Sequence, residues 1–193
     1  MPSEQTRPAA VQRTLVRVGT TLRDADVPFA FTGGSAVYAR GGPFSEHDVD
    51  VLVRRGDIDH AVRALVKVGM RAADAPEDWL RKVYDGDVLV DLIHRPAEQP
   101  VTDEMLAGAD ELQVGPLTAP VAPATDVLVQ KLLVLGPHYC DYTWVLPAAR
   151  ALREQVEWEQ LVERTAHSPY AEAFLLLADR LQIAPGIHNG GAR

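Results

Sequence analysis

The sequence predicts a mixed α/β (α+β) protein in which a small mixed sheet precedes a helical C-terminal part. Three patterns predict this class. Valines alternate with other residues over His47 to Arg54, as in a strand buried on one face. Asp85-Gly86 separates two runs of strand-forming residues, as the turn of a hairpin does. From Ala124 onward, apolar residues recur at steps of three and four, which is typical of amphipathic helices.

Length and composition indicate one domain with a packed core: 193 residues, 47% hydrophobic, 24% charged, net charge −8. The single cysteine, Cys140, excludes an internal disulfide and a cysteine-rich zinc site. The acidic balance argues against a nucleic-acid coat protein, but not against an enzyme with a local basic patch. The N-terminus resembles no signal peptide and no apolar run could cross a bilayer, so we expect a cytoplasmic protein.

The first part of the chain is predicted to alternate helices with short strands. Each helix has one apolar stripe, and each strand is bounded by glycine, proline or aspartate. The expected elements are a helix at Pro8–Asp24, a strand at Phe29–Thr32, a helical turn at Ser35–Arg40, a strand at His47–Arg54, a helix at Ile58–Gly69 with Ile58, Ala61, Val62, Leu65 and Val68 inward, and a hairpin of Trp79–Tyr84 with Asp87–Ile93.

The second part is predicted to be mainly helical. A polar loop with a helical turn (Pro96–Asp110) and two short strands within Leu112–Val121 lead into it. Thr125 is the expected N-cap of the first helix. The expected helices are Asp126–Leu135, Leu146–Leu152, Val156–Thr165 and Ala171–Leu181. We expect residues 1–121 to form a catalytic core with an N-terminal helix, residues 122–184 a helical part that completes the site, and residues 185–193 a flexible tail.

The residues that carry chemistry begin with Gly33-Gly34-Ser35, followed after a spacer by Asp48 and Asp50. Residues at i and i+2 of a strand leave the same face, so the two carboxylates lie side by side. Close carboxylates are costly without a cation, and Mg²⁺, or alternatively Mn²⁺, takes such oxygen ligands. The glycine-rich turn exposes backbone N–H groups at a helix start, which suits the phosphates of a nucleoside triphosphate.

Asp91 supplies a third acid from the next long strand. Its neighbours Val88, Val90 and Leu92 lie on the opposite face, and an acid within an otherwise apolar strand is expensive if unpaired. Three acids that converge at one edge of the sheet, Asp48, Asp50 and Asp91, would form the metal clamp of phosphoryl or nucleotidyl transfer.

These residues resemble the signature of the polymerase-β-type nucleotidyltransferase superfamily over Phe29 to Ile93. The resemblance implies that Asp48 and Asp50 hold the metals. It implies that Asp91 completes the metal site and helps to activate the attacking hydroxyl. The segment Phe44-Ser45-Glu46-His47 departs from the Arg-x-Thr-x-Asp form that is common in the superfamily.

A second resemblance lies in Ala122 to Leu133, which is similar to the C-terminal motif of AbiEii/MenT-type nucleotidyltransferases, toxins of toxin–antitoxin systems. It implies a catalytic and phosphate-binding role for Lys131. It maps a further nucleotide-site acid onto Asp141, for which a helix cap is the alternative interpretation. It implies an RNA acceptor, such as a tRNA 3′ end, and an antitoxin partner.

The remaining candidates are weighed individually. Arg40 lies near the glycine-rich turn and is expected to pair with phosphate, with a surface position as the alternative. His47 and Cys140 are interpreted as structural. One of Trp79, Trp144 and Trp158 could stack a base, although packing is the ordinary role of each. The basic residues that could form an RNA-facing rim are Arg54, Arg55, Arg81, Lys82 and Arg95.

The sequence therefore predicts a Mg²⁺-dependent nucleotidyltransferase. Gly33, Gly34, Ser35 and Lys131 would bind the triphosphate, and the leading acceptor is RNA. The alternatives are a small-molecule or protein side-chain acceptor, and a non-catalytic nucleotide-binding module, against which the three retained acids argue. A Walker-type kinase or phosphohydrolase is disfavoured because the Gly-x-x-x-x-Gly-Lys-Ser/Thr pattern is absent.

Overall fold

A computed structural model describes residues 6–44, 48–184 and 186–187. These residues form a mixed sheet of seven strands in the order β3-β4-β5-β2-β1-β7-β6. The central β2 and β5 run parallel, as do β1 and β7, and the other neighbouring strands pair antiparallel. The strands are β1 Phe29–Phe31, β2 Asp48–Val53, β3 Arg71–Ala73, β4 Leu80–Asp85, β5 Val88–Ile93, β6 Asp110–Val114 and β7 Leu117–Val121.

Helices pack against this sheet, so the predicted mixed α/β class is confirmed. Helices α1 and α3 pack together and against the sheet, while α2 packs on β2 and against α5, which contacts α6, α7 and α8. The helices are α1 Thr6–Asp24, α2 Gly33–Ala39, α3 Ile58–Lys67, α4 Asp103–Ala107, α5 Ala124–Leu133, α6 Val145–Leu152, α7 Trp158–Thr165 and α8 Pro169–Arg180, with a 3₁₀ turn at Pro96–Glu98.

One hydrophobic cluster runs through both parts of the chain. It includes Leu15 of α1, Phe31 of β1, Leu128 of α5 and Phe174 of α8, each almost completely buried. Helix α5 lies at the centre of this arrangement because it contacts α2 on one side and the three later helices on the other. The helical C-terminal part is therefore packed directly on the element that follows the glycine-rich turn. None of the described helices has the length and apolar character required to cross a membrane.

The hairpin of β4 and β5 forms as predicted, but its turn lies one residue further along. Asp85 pairs with Val88, so the connecting residues are Gly86 and Asp87 rather than Asp85 and Gly86. Gly86 has a φ of 61°, a conformation that favours glycine. This shift of one residue determines which side chain of β4 lies beside Asp91.

Several other predictions are corrected. Thr125 is not the N-cap of α5: Pro123 has that position, and Thr125 is buried inside the helix, where its Oγ1 accepts a hydrogen bond from the Glu157 N–H at 2.9 Å. Val68 was expected inward but follows the end of α3 and is 43% exposed. Strand β3 was not predicted, because its short, largely exposed segment has no alternating apolar pattern.

Two predictions lie wholly or partly outside the described residues. His47, the expected first residue of the β2 strand, is one of them. The predicted flexible tail at 185–193 is the other, apart from residues 186 and 187. Within that pair, the Gly186 N–H donates to Asp179 Oδ1 at 2.7 Å, which attaches the segment to α8.

Candidate active site

The three predicted acids meet on one face of the central strands. Parallel pairing of β2 with β5 places Asp50 directly opposite Asp91, and Asp48 lies two residues earlier on the same face. One carboxylate oxygen from each of the three residues lies within 4.8 Å of the others. The predicted convergence is therefore confirmed. The expected location is corrected, since the acids lie on strands in the interior of the sheet and not at its edge.

Pairing of β4 with β5 places a cation, Lys82, beside the three acids. Lys82 is the cross-strand partner of Asp91, and its Nζ lies 3.6 Å from Asp91 Oδ1 and 3.8 Å from Glu77 Oε1. Sequence reasoning assigned Lys82 to an RNA-facing rim and missed this contact. The signal in the sequence that could have shown it is the register of the hairpin. With Gly86 and Asp87 as the turn, Asp91 pairs with Lys82. With Asp85 and Gly86 as the turn, Asp91 would pair with Leu80.

The glycine-rich turn shapes the acid cluster. Gly33 has a φ of +52°, and a Cβ built on it would lie 2.0 Å from Asp50 Oδ2. The Gly34 N–H donates to the same oxygen at 3.1 Å. The turn therefore holds the Asp50 carboxylate, and the Gly34 N–H expected to bind phosphate is engaged by that carboxylate. Helix α2 also begins at Gly33, two residues earlier than predicted.

Ser35 lies inside α2 and is 2% exposed. Among the residues that the structure describes, its Oγ has no hydrogen-bond partner, and neither does Asp91 Oδ1. Buried polar atoms without partners are costly, and they occur at functional sites more often than elsewhere. The Lys82 ammonium, 3.6 Å from Asp91 Oδ1, is a charged neighbour of this oxygen but lies beyond hydrogen-bond distance, so Asp91 can still accept a ligand of this cluster.

Burial and mutual repulsion disfavour ionisation of the acid cluster. The pKa of Asp50 is raised from 3.8 to about 7, first by burial and then by the charge of Asp48, while the Gly34 hydrogen bond and the Lys131 charge oppose the change. Burial also raises the pKa of Asp91, against the charge of Lys82. Carboxylates that are held together at this electrostatic cost are typical of sites for divalent cations. The cluster therefore fits Mg²⁺ in donor type, proximity and charge.

Lys131 of α5 lies in the same cleft as the acids. The cleft has a volume of about 470 Å³ and is lined on its charged side by Asp48, Asp50 and Lys131. Its remaining lining is largely apolar and comes from α2, from α6 and from the segments that follow α2 and α5. These residues include Val37, Pro43, Phe44, Tyr139 and Trp144. A larger cavity of about 930 Å³ lies between α7 and residues 182–187, but it contains none of the predicted site residues.

Arg40 does not line this cleft. Its side chain is 6% exposed, and its Nε donates to the Ala122 carbonyl at 2.8 Å while its terminal nitrogens donate to Gln155, Asp110 and the Val121 carbonyl. The predicted pairing with phosphate is corrected, because the guanidinium is already bound within the protein. It connects α2 to β6, β7 and the segment before α7.

Asp141 also lies outside the cleft lining. Its Oδ1 accepts a hydrogen bond from the Thr143 N–H at 2.8 Å. Hydrogen bonding from the Thr143 side chain, and secondly from this N–H, lowers the pKa of Asp141. The residue supports the turn that leads into α6, but it is not the cap of that helix, because the N-cap is Trp144 and has no side-chain cap hydrogen bond. The structure therefore agrees with neither the helix-cap interpretation nor a nucleotide contact. Cys140 is exposed and lies in the same segment.

The predicted RNA-facing rim is not formed as one surface. Arg81 pairs with Leu92, whose side chain lies on the face opposite Asp91, so Arg81 and Lys82 leave β4 in opposite directions. Three of the other cations are engaged: Arg54 with Asp57 and Asp103, Arg95 with Asp78 and Glu98, and Lys82 with Glu77 and Asp91.

A mixed sheet that presents three clustered carboxylates beside a glycine-rich turn defines a nucleotidyltransferase. The chain belongs to a family described as uncharacterised nucleotidyltransferases, whose model matches residues 4–187. The protein is accordingly a nucleotidyltransferase enzyme, as the sequence predicted.

Solved structures agree with this fold. The solution structure of the antibiotic-resistance factor ANT(2'')-Ia matches with a TM-score of 0.63 at 16% identity, over 88% of this chain and 96% of that one. The crystal structure of ANT(2'')-Ia in complex with adenylyl-2''-tobramycin matches with a TM-score of 0.63 at 14% identity, over 84% and 98% of the two chains. A protein from H. pylori matches with a TM-score of 0.53 at 17% identity, over 99% and 88%. No curated protein matches the chain.

Proposed function

We propose that this protein transfers a nucleoside monophosphate from a nucleoside triphosphate to an acceptor hydroxyl in a Mg²⁺-dependent reaction. The observation that carries the proposal is the acid cluster, whose three carboxylates lie within 4.8 Å of one another. Two of its members, Asp48 and Asp50, line a cleft together with Lys131. Such a cluster has little structural purpose without a cation, because it raises the energy of the folded protein.

Asp48 and Asp50 would hold Mg²⁺, with Mn²⁺ as an alternative, and Asp91 would complete the site. The bound cation supplies charge neutralisation at the triphosphate and favours departure of pyrophosphate. Lys131 would contact the phosphates as a point charge. Asp91 would accept the proton of the acceptor hydroxyl. A bond forms between that oxygen and the α-phosphorus, and the bond from the α-phosphorus to the bridging oxygen breaks.

A small hydroxylated molecule is the acceptor that the geometry favours. The basic residues once expected to form an RNA-facing rim are largely paired with acids, and Arg81 lies on the other face of the sheet. RNA binding depends on cations that are available to phosphates. The fold is that of ANT(2'')-Ia, an antibiotic-resistance factor, which is consistent with a small acceptor.

An RNA acceptor is the second candidate. The segment Ala122 to Leu133 resembles AbiEii/MenT-type toxins, and Lys131 of that segment lines the cleft. In this case the acceptor would be an RNA end such as a tRNA 3′ terminus, the cell would contain an antitoxin, and the protein would act in the cytoplasm. A protein side chain would use the same chemistry.

Transfer of label distinguishes these acceptors. The protein is incubated with each α-labelled nucleoside triphosphate and Mg²⁺, together with total bacterial RNA, protein or a panel of polyhydroxylated small molecules. Asp50→Asn serves as the inactive control. Label in a small molecule supports the favoured acceptor, and label in RNA that declines steeply with salt supports the second. Nucleotide binding without label in any acceptor would overturn the enzymatic proposal in favour of a binding module.

A further inference from the structure

We propose that Tyr139 and Trp144 form the platform on which the nucleobase of the nucleoside triphosphate stacks. The inference rests on the proposed function and extends it to a subsite for the base. Both residues line the cleft that Asp48, Asp50 and Lys131 also line. Yet Tyr139 is 57% exposed and Trp144 is 64% exposed, although large aromatic side chains are usually packed away from water.

The backbone that carries these two rings is braced. Tyr139 exchanges two backbone hydrogen bonds with Gly136, at 2.8 and 3.1 Å, directly after α5. Tyr142 lies between these two residues in the sequence. Its hydroxyl donates to the Tyr170 carbonyl at 2.8 Å, and its ring contacts Phe174 edge-on. The segment is therefore anchored to α8 on one side while it presents two rings to the cleft on the other. Such preorganisation lowers the entropic cost of binding.

Asp141 contributes to the same brace. Its hydrogen bond from the Thr143 N–H shapes the turn that places Trp144 at the start of α6. This assigns a positioning purpose to an acid that sequence reasoning offered as a nucleotide contact.

The cleft as a whole has the amphipathic character of a nucleoside triphosphate. Its charged side has Asp48, Asp50 and Lys131, which suit a metal-bound triphosphate, and its apolar side has aromatic rings and Val37. Lys131 and Tyr139 are close in sequence and line the same cleft, so the proposed phosphate contact and the proposed platform face one cavity. A nucleobase is flat, and any of the common bases can stack on an aromatic ring. If the triphosphate and its metal occupy the charged side of the cleft, the nucleobase of the same ligand is the group that occupies the apolar side.

The other two tryptophans are placed elsewhere. The Trp158 Nε1–H donates to the Arg153 carbonyl at 3.0 Å, and Trp158 lines the separate cavity near α7. The Trp79 carbonyl accepts the backbone N–H of His94 beside the β4–β5 hairpin. Trp144 is thus the tryptophan that the fold brings to the acid cluster, and Trp158 is its matched control.

The test compares ligands with and without a base. Dissociation constants are measured in Mg²⁺, without acceptor, for each of the four common nucleoside triphosphates and for inorganic tripolyphosphate. The proteins are the wild type, Trp144→Ala, Trp144→Phe, Tyr139→Ala and Trp158→Phe. Trp144→Ala is expected to weaken binding of the preferred nucleotide by about tenfold or more and to leave tripolyphosphate binding unchanged. Trp144→Phe should retain most of the affinity, and Trp158→Phe should behave as wild type.

Fluorescence supplies an independent readout. In the Trp79→Phe/Trp158→Phe background, only Trp144 emits, and its emission should be quenched by the nucleotide but not by tripolyphosphate. An unchanged nucleotide affinity in Trp144→Ala and Tyr139→Ala overturns the platform. An effect confined to the KM of the acceptor also overturns it and assigns the rings to the acceptor. If wild type binds neither nucleotide nor tripolyphosphate, the proposed function itself fails, which is a distinct result.

Discussion

At the scale of single residues, Asp50 experiences the strongest electrostatic penalty described above. Its pKa is raised from 3.8 to about 7, so the folded metal-free protein keeps a proton on this group over a pH range in which the unfolded chain has lost it. Stability must therefore fall as the pH rises from about 4 to about 7, and remain lower above that range.

Asp50→Asn should remove this dependence. In EDTA at pH 8, the variant is expected to exceed wild type in unfolding free energy by roughly 4 kcal/mol, a difference that disappears near pH 4. Mg²⁺ should stabilise wild type more than the variant, and transfer activity should be lost. Urea unfolding from pH 4 to pH 8, with and without Mg²⁺, measures this. A parallel pH profile for the two proteins would contradict the assigned pKa.

Lys131 tests the charged side of the cleft. Lys131→Ala is expected to weaken nucleotide and tripolyphosphate binding alike, by about tenfold, because a point charge near the phosphates is removed. Lys131→Arg keeps the charge and should lose less. The Tm should change little, since Lys131 is not one of the buried core residues. Calorimetric titration of both ligands checks the prediction, and unchanged affinity in the alanine variant would make Lys131 an ordinary surface lysine.

At the scale of elements, the turn between β1 and α2 depends on the missing side chain of Gly33. Gly33→Ala places a Cβ about where Asp50 Oδ2 lies, in addition to a strained φ of +52°. We expect Mg²⁺ affinity to fall by about 10-fold to 100-fold, because a group that positions a ligand is displaced.

Gly41→Ala is the matched control for that substitution. Gly41 also has a positive φ, +91°, but nothing lies within 4 Å of its added Cβ. Both variants should lose about 1 kcal/mol of stability from backbone strain, while only Gly33→Ala should lose Mg²⁺ affinity and transfer. Thermal unfolding and metal titration of the two variants separate strain from displacement. Equal metal affinities would show that the turn does not position Asp50.

At the scale of the whole molecule, Arg40 joins parts of the chain that are distant in sequence. Its buried guanidinium bonds to residues before α5 and before α7, and the Gln155 side-chain amide returns a bond to the Arg40 carbonyl at 3.0 Å. Arg40→Met should therefore destabilise the protein by about 3 kcal/mol, and Arg40→Lys by less.

Nucleotide affinity distinguishes this structural role from the phosphate role that the sequence suggested. The folded Arg40→Met protein should bind nucleoside triphosphate as wild type does, since Arg40 does not line the cleft. Urea unfolding and nucleotide titration of the same sample provide both numbers. A large loss of affinity without a loss of stability would restore the phosphate contact.

Much of the site was predictable because its signals are local. The i and i+2 spacing of Asp48 and Asp50 places both carboxylates on one face of any strand, whatever surrounds it. The apolar neighbours of Asp91 likewise mark its face. Most helix positions followed from apolar periodicity, and most helix ends were correct to within two residues. Thr125 was misplaced because its partner, the Glu157 N–H, lies in a distant segment.

By itself, then, the sequence determined the class of fold, the three acids and the face from which each projects, because periodicity within one segment sets these features. Only the tertiary structure decided that Lys82 faces Asp91, that Arg81 points away, that Arg40 is consumed within the protein, and that Trp144 reaches the cleft. Each of these depends on contacts between distant segments. The shift of the β4–β5 turn by one residue makes Lys82 instead of Leu80 the partner of Asp91, and a one-residue slip in strand register would reverse the face of every side chain. The pattern of residues within one segment does not determine how that segment pairs with another.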